Sequence, residues 1–304
     1  MVSSLMPPPT GPEPVPGAVF DEMLRAARAL LAVRHPLDAE LAFSEMIGAW
    51  WGERVPGMDV ERLLGEGLIA HATASGTSAG LGVLAAVAAL GTSATQRNLA
   101  AQGMIALRER GLQVPDWACQ LGAVTPVAAY LNSDRFGDTD DVVCVFGRGR
   151  DPHGAPDSPS PEHALILVLD HNSGGVLRDA WVTTKVERLL EQCRRRAEAD
   201  DFVRFSPLEL TEARTLLSWA LERTEQAMAD TLADPSAGPT VELVGMKAAD
   251  LAGGSLATHF PLANARVRAL PSPPSGKETS PLPVWRRDRR AVLAARFLAS
   301  DEAA

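Results

Sequence analysis

Four shortages in this sequence narrow what it can be. Aromatic residues fill only 5% of the 304 positions, so a core must be assembled chiefly from Ala, Leu and Val, with the six Trp as isolated large packing units. Cysteine occurs three times, at Cys119, Cys144 and Cys193. An odd count at wide spacing is neither a disulfide framework nor a zinc pattern, and a reducing, cytoplasmic setting fits best. Lysine is confined to Lys185, Lys247 and Lys277, and the formal net charge is -9. So acidic a chain lacks the basic surface that phosphate neutralisation requires, and no nucleic-acid partner is expected. Long apolar runs are missing as well. The stretch 67–96 carries no Asp, Glu, Lys or Arg, but its apolar part runs only from Leu81 to Leu90, about half of the roughly 20 residues a bilayer demands. It reads as a tightly packed buried helix, and no membrane is expected.

With 46% hydrophobic and 22% charged residues, the chain has a globular composition and enough length for a sizeable core. Residues 1–17 carry Pro7, Pro8, Pro9, Pro12, Pro14 and Pro16 and read as a disordered leader, without the basic and apolar regions of a signal peptide. Residues 18–34 have helical periodicity, with Phe20, Leu24, Ala27, Leu30 and Leu31 on one face. Pro36 opens a second helix, striped by Phe43, Met46, Ile47 and Trp50 and ended by Pro56-Gly57. Asp59 is a suitable N-cap for a third. Ser93 and Gln96 form a capping-box pattern for a helix that Gly111 stops.

The pattern changes after Pro115. Residues 142–146 (VVCVF) and 164–169 (ALILVL) are short apolar runs of the kind that form strands buried on both faces. His171 to Gly175 has hairpin composition, and residues 176–182 return as a third strand. Residues 148–161 form a long Pro/Gly/Asp/Ser loop. Helices resume at Thr184, with Glu187 completing a capping box, and again at Ser206 as N-cap, with Pro207 at the first helical position and Glu209 at the third. Residues 272–283 are linker-like, and Trp285 to Ser300 reads as a basic helix carrying Arg286, Arg287, Arg289 and Arg290. The expected fold class is α+β: a helical N-terminal bundle packed on a small antiparallel sheet of about three strands, with further helices C-terminal to it. One domain over 18–270 is expected, helical over 18–112, sheet over 113–183 and helical over 184–270, followed by a linker and terminal helix over 271–304.

Two constellations bear on chemistry. Gly76-Thr77-Ser78-Ala79-Gly80 matches G-x-S-x-G, in which glycines permit a strained strand-to-helix turn that exposes the serine. The string GTSAG, followed by a helix of small apolar residues, resembles the nucleophile elbow of patatin-like phospholipases. That resemblance implies Ser78 as a nucleophile working with an aspartate, and a glycine-rich loop upstream as its oxyanion hole. It covers about half a dozen residues. The segment before it, IAHATAS, has little β character, and no glycine-rich loop precedes it. An alternative is that Gly76 and Gly80, four apart on one helix, form a groove for close helix packing.

The second constellation is acidic. Asp134, Asp138, Asp140 and Asp141 lead into the first strand; Glu162-His163 opens the second and Asp170-His171 closes it. Carboxylates and imidazoles together suit a divalent metal. Residues eight apart on a strand are separated by roughly 26 Å, so His163 and His171 cannot share an ion. Across strands, Asp138, Asp140 or Asp141 can approach Asp170, and Asp138, Asp141 and Asp170 are the candidate metal ligands. No Walker A, Rossmann, C-x-x-C or H-E-x-x-H pattern is present, and no cofactor is expected beyond that alternative metal. With no complete catalytic set in view, the favoured function is a non-enzymatic regulatory or interaction protein whose partner is another protein. The alternative is a hydrolase, serine-dependent through Ser78 or metal-dependent through Asp138, Asp141 and Asp170.

Overall fold

The computed structural model describes residues 16–48, 63–114, 116–148, 162–233, 242–243, 246–247 and 255–273. The leader up to residue 15, the helix start at Asp59, the loop 149–161 and the terminal segment 274–304 lie outside the described residues. The described chain is α+β, with one antiparallel five-stranded sheet. No described helix is long and apolar enough to cross a membrane.

The helical part opens with α1 (Pro16–Ala27), which tightens into a 3-10 turn over Arg28–Ala32, and α2 (Pro36–Gly48). Next come α3 (Leu68–Ser75), α4 (Ser78–Leu90) and α5 (Ala94–Glu109). The uncharged stretch is the α3–α4 hairpin, and α4 is buried along most of its length. The capping box of α5 forms as its sequence requires: Ser93 accepts from the Gln96 N–H, and the Gln96 side chain reaches back to the N–H of Ser93. Gly111, at φ +88°, ends the segment.

The sheet consists of β1 (Val124–Asp134), β2 (Thr139–Arg148), β3 (His163–Asp170), β4 (Val176–Thr183) and β5 (Val203–Leu208), in the order β4-β3-β2-β1-β5. The three expected strands are β2, β3 and β4. The other two are additions. β1 (VTPVAAYLNSD) is rich in small residues and contains Pro126, which lies outside the stretch Ala129–Asp134 that pairs with β5. It therefore has a strand on one side only and needs no ladder donor there.

β5 corrects the strongest helix start read from the sequence. Ser206 and Pro207 do not cap a helix; they pair with Leu131 and Tyr130 as part of an edge strand, where a missing N–H is tolerated. Helix α7 begins afterwards, at Leu210, and runs to Ala233. Between β4 and β5 lies α6 (Val186–Ala199). The expected Thr184–Glu187 box does not form, because Lys185 holds the N-cap position and its own N–H donates to the Thr183 hydroxyl. β4 carries a bulge. The register slips between Val168 and Leu169, so that Val168 faces Asp179 and Leu169 faces Leu177. Arg178 is thereby left as an exposed bulge, and Asp179 and Trp181 turn to the face opposite His163.

Helix α8 (Ser255–Ala269) falls in the stretch 184–270 expected to be helical, although no start or buried stripe was read for it, and it is the central element. Phe260, Ala263 and Val267 pack with α7 on the sheet residues Leu165, Leu167 and Phe146. Leu262 and Ala265 belong instead to the core of the N-terminal helices. The other sheet face, with Val143, Val145 and Ile166, is covered in part by Val186, Leu189 and Leu190 of α6.

Pro261 sits inside α8 and cannot donate to the preceding turn. The side chain of Ser44, fully buried on α2, enters the gap: its hydroxyl donates to the Thr258 carbonyl at 2.7 Å and accepts from the Leu262 N–H at 3.2 Å. Gly48 permits this approach, since a Cβ there would lie 2.1 Å from the Ala257 carbonyl oxygen.

Candidate functional site

Ser78 is exposed at the first position of α4. The element before it is helix α3, closed by Gly76 in the left-handed region at φ 59°, so the turn joins helix to helix and lacks the strand an elbow requires. The cap is Thr77, whose hydroxyl accepts from the Gly80 N–H. Gly76 and Gly80 do not share one helix. Gly80 instead allows α4 close against α3, because a Cβ there would meet the Ala72 carbonyl and the Ser75 hydroxyl at 2.5 Å.

The acidic residues are distributed over separate tasks. Asp141 and Asp170 lie on the α6 face of the sheet in diagonal register, but each is occupied. Asp141 accepts from the Asn132 side-chain amide at 2.8 Å. Burial pushes its pKa upward against the lowering effect of that bond and of Arg196. Asp170 closes the β3–β4 hairpin, accepting from the backbone of Asn172 and Ser173 and from the Ser173 hydroxyl. Asp138 is exposed in the β1–β2 turn. Asp140 points to the other face, where it meets the buried His171 at 2.9 Å. Among the described residues, no group of three or more His, Cys, Asp or Glu is placed to hold a metal ion. Cys144 is buried in the sheet core, and burial pushes its thiol up to about 12.

At the opposite end of β2 and β3 lies a ring of side chains that is hydrogen-bonded except at one link, between Glu162 and His163. Glu40 on α2, Arg266 on α8 and His163 on β3 are all 0% exposed. Glu40 accepts from Arg266 and, at 2.7 Å, from Arg148 at the end of β2. Arg148 donates its Nε–H to Glu162 at 3.1 Å. The other oxygen of Glu162 lies 3.6 Å from His163 Nδ1. Arg266 donates Nε–H to His163 Nε2 at 3.0 Å, while His163 Nδ1, Glu162 Oε2 and Arg266 Nη1 are buried without a hydrogen-bond partner. An arginine cannot accept, so Nε2 carries the lone pair and the proton of this imidazole sits on Nδ1, toward Glu162. Burial and the charges of Arg266 and Arg148 hold His163 down to about 3, so it stays neutral. Burial pushes Glu40 upward, but Arg266, Arg148 and the Gly122 N–H outweigh it and leave its carboxyl below the usual range. Two cations thus face two anions in an interior where neither would be tolerated alone. The ring ties α2 and α8 to the stems of β2 and β3.

The most outward-facing arrangement is at the other end of the sheet. Phe136 in the β1–β2 turn and Phe202 before β5 stack with ring centroids 5.6 Å apart and planes 18° from parallel. They remain 52% and 54% exposed. Both turns are fixed from within. The Asp134 carboxylate accepts from the backbone N–H groups of Phe136, Gly137, Asp138 and Thr139. Partial burial raises this carboxyl, but the four donors outweigh it and hold its pKa below the ordinary value. Asp200 accepts from the Phe202 N–H at 2.9 Å, and the Arg135 N–H donates to the Phe202 carbonyl at 2.7 Å, joining the two turns. Along the same margin Tyr130, the chain's single tyrosine, stacks on Phe205 at 5.2 Å. The two turns carry Asp134, Asp138, Asp200 and Asp201 with Arg135 and Arg204, and the end of α6 just before them carries Arg194, Arg195 and Arg196, so charges of both signs lie around the aromatic pair.

The sequence reading did not single out the ring or the aromatic pair. Glu40 left a signal: it falls on the buried stripe of α2, three residues from both Leu37 and Phe43. Phe136 and Phe202 left another, as lone large apolar residues inside the Asp-rich turn strings SDRFGD and EADDFV. No protein-family model matches the chain, and no curated protein or solved structure matches it either.

Proposed function

We infer that the protein is a non-enzymatic protein-interaction module, and that the sheet end bearing Phe136 and Phe202 is its docking margin. One observation carries this reading: two large apolar rings are held more than half exposed on turns that internal hydrogen bonds already order. Aromatic anchors dominate binding energy at protein interfaces. Fixing them beforehand removes part of the side-chain and loop ordering that association otherwise costs. The charges around the rings make the encounter salt-dependent.

The test is a pull-down from the native host with the wild-type chain and the Phe136→Ser/Phe202→Ser variant. The reading expects a partner that wild type retains at low salt, that is released at about 0.5 M salt, and that the double variant fails to retain although its thermal melt is unchanged. Equal retention by the variant would reject this margin as the docking site.

A further inference from the structure

Strand addition is one way a sheet takes a partner, and it needs a row of free N–H groups along an edge strand. The edges of this sheet are β4 and β5. Along an antiparallel strand, alternate residues bond to the neighbouring strand and the others turn their backbone groups outward. Two bonds at the strand ends set the phase. The His171 N–H donates to the Asp138 carbonyl, so odd-numbered residues of β3 bond to β2 and even-numbered ones to β4. Asp179, Trp181 and Thr183 therefore bond inward, which leaves Leu177, Ala180 and Val182 outward on β4. The Arg135 N–H donates to the Phe202 carbonyl, so Arg204, Ser206 and Leu208 bond to β1, and Val203, Phe205 and Pro207 face outward on β5.

Neither edge offers a row of donors. On β4 the Leu177 N–H donates to the Thr224 hydroxyl of α7 at 2.8 Å, and that hydroxyl donates in turn to the Ala220 carbonyl at 2.7 Å. The Ala180 N–H donates to the Asp179 carboxylate at 2.8 Å. The Arg178 bulge breaks the line of the strand between these two, and Val182 packs against both large cores. On β5 the Val203 N–H turns back to the Asp200 carbonyl at 3.0 Å, and Pro207 has no N–H. Phe205 stands between them as the outward residue of β5 whose N–H no described group accepts. Leu177 and Ala180 are buried, whereas Ser206 and Pro207 are exposed, so β5 is the edge that a second chain can reach.

We propose that the sheet is closed to strand addition at both edges, and that on β5 Pro207 is the residue that keeps a second copy of this chain from pairing there. The pairing it blocks is specific. β5 laid antiparallel on its own copy about Phe205 sets the two Phe205 residues opposite one another and Val203 opposite Pro207. Phe205 can then bond with its copy, but the flanking pair has no donor, since the Val203 N–H is engaged and Pro207 has none. A valine at position 207 supplies that donor, and the two-fold axis supplies it on both sides at once. Closed edges hold whether or not the aromatic margin binds a partner, and any partner that binds there is then held by side chains.

Amide hydrogen exchange and sedimentation velocity of the purified full chain and its Pro207→Val variant test this. In the wild type the Phe205 amide is expected to exchange at least about tenfold faster than those of Arg204 and Ser206, at every concentration. Pro207→Val should sediment as a concentration-dependent dimer, with its Phe205 amide slowed by about tenfold or more. Protection of Arg204 and Ser206 reports that β5 stays paired with β1 in the variant, and Pro207→Ala, which supplies the same N–H, should associate likewise but more weakly. Adding Phe136→Ser/Phe202→Ser to Pro207→Val should leave the dimer intact. A wild-type Phe205 amide as protected as its neighbours would overturn the proposal, because the edge would then already be paired. So would wild-type sedimentation and unchanged Phe205 exchange in both variants at position 207. A dimer that vanishes with the two phenylalanines would overturn it as well, by moving the contact from the strand edge to the aromatic pair.

Discussion

The two ends of the sheet place their side chains in opposite ways. Below the stems of β2 and β3, Glu40 and Arg266 put full charges where solvent cannot reach. At the far end, Phe136 and Phe202 put aromatic rings where solvent can. The buried charges offset much of their desolvation with one another, through Glu40, Arg148, Glu162, His163 and Arg266. The exposed rings have answered only half of theirs. Complete burial of such a side chain is worth about 1.5–3 kcal/mol, and a ring left half exposed leaves roughly half of that for a partner. The inner region holds layers together, and the outer one is stabilisation not yet used by folding.

The largest way to break this contrast is to open the ring. Arg266→Met leaves Glu40 short of a cation and His163 Nε2 without its donor, and should cost about 3–5 kcal/mol in urea unfolding. Glu40→Met/Arg266→Met should recover most of that, because a well-packed apolar pair needs no counter-charge. A single-variant loss below about 1 kcal/mol would mean that the ring is not formed in solution.

Acid probes the same region without mutation. His163 is held at about 3, below an ordinary histidine at 6.5, so the folded state resists its protonation. A depressed pKa supplies stability that is present above pH 6.5 and lost as pH falls toward 3. Glu40, also depressed, acts in the same direction below pH 4.5. Urea midpoints should therefore decline steadily from pH 6.5 downward. His163→Gln should flatten the upper part of that slope, and an unchanged slope would place the acid sensitivity elsewhere.

A smaller effect sharpens the role of α8. Ser44→Ala strips the Leu262 N–H and the Thr258 carbonyl of their shared partner and should cost about 1–3 kcal/mol. A neutral result in a denaturant melt would show that the proline break is satisfied by other means. Smallest of all should be Phe136→Ser/Phe202→Ser, within about 0.5 kcal/mol of wild type. A loss of several kcal/mol there would make the aromatic pair part of the core and erase the contrast.

Much of the fold was legible where local pattern and tertiary demand agree. The runs VVCVF and ALILVL are apolar throughout because both faces of β2 and β3 are covered, and the Ser93 box forms because nothing competes with it. Legibility failed where the tertiary structure overrode a local preference. Ser206-Pro207 is a good helix start, yet pairing with β1 keeps it extended. α8 contains Pro261, Arg266 and Arg268, which disguise a buried helix; only Ser44 from α2 and the ring make it tenable. The acidic residues around β2 and β3 read as one cluster because sequence proximity hides strand parity, which sends Asp140 and Asp141 to opposite faces. The aromatic pair was hidden for a related reason. Phe136 and Phe202 meet through a pairing of β1 with β5, and the end of β5, from Ser206 on, was read as a helix start.

The central proposal is that binding resides at the aromatic end of the sheet. It is tested most directly by photocrosslinking in native-host extract, with p-benzoylphenylalanine placed singly at Phe136, at Phe202 or at Ile105. Ile105 is the control, an apolar residue of α5 that is 57% exposed. The account predicts that the same partner, the one retained by the wild-type chain in pull-downs, is captured from positions 136 and 202 and not from 105. Capture of that partner from 105 with none from 136 or 202 would contradict it.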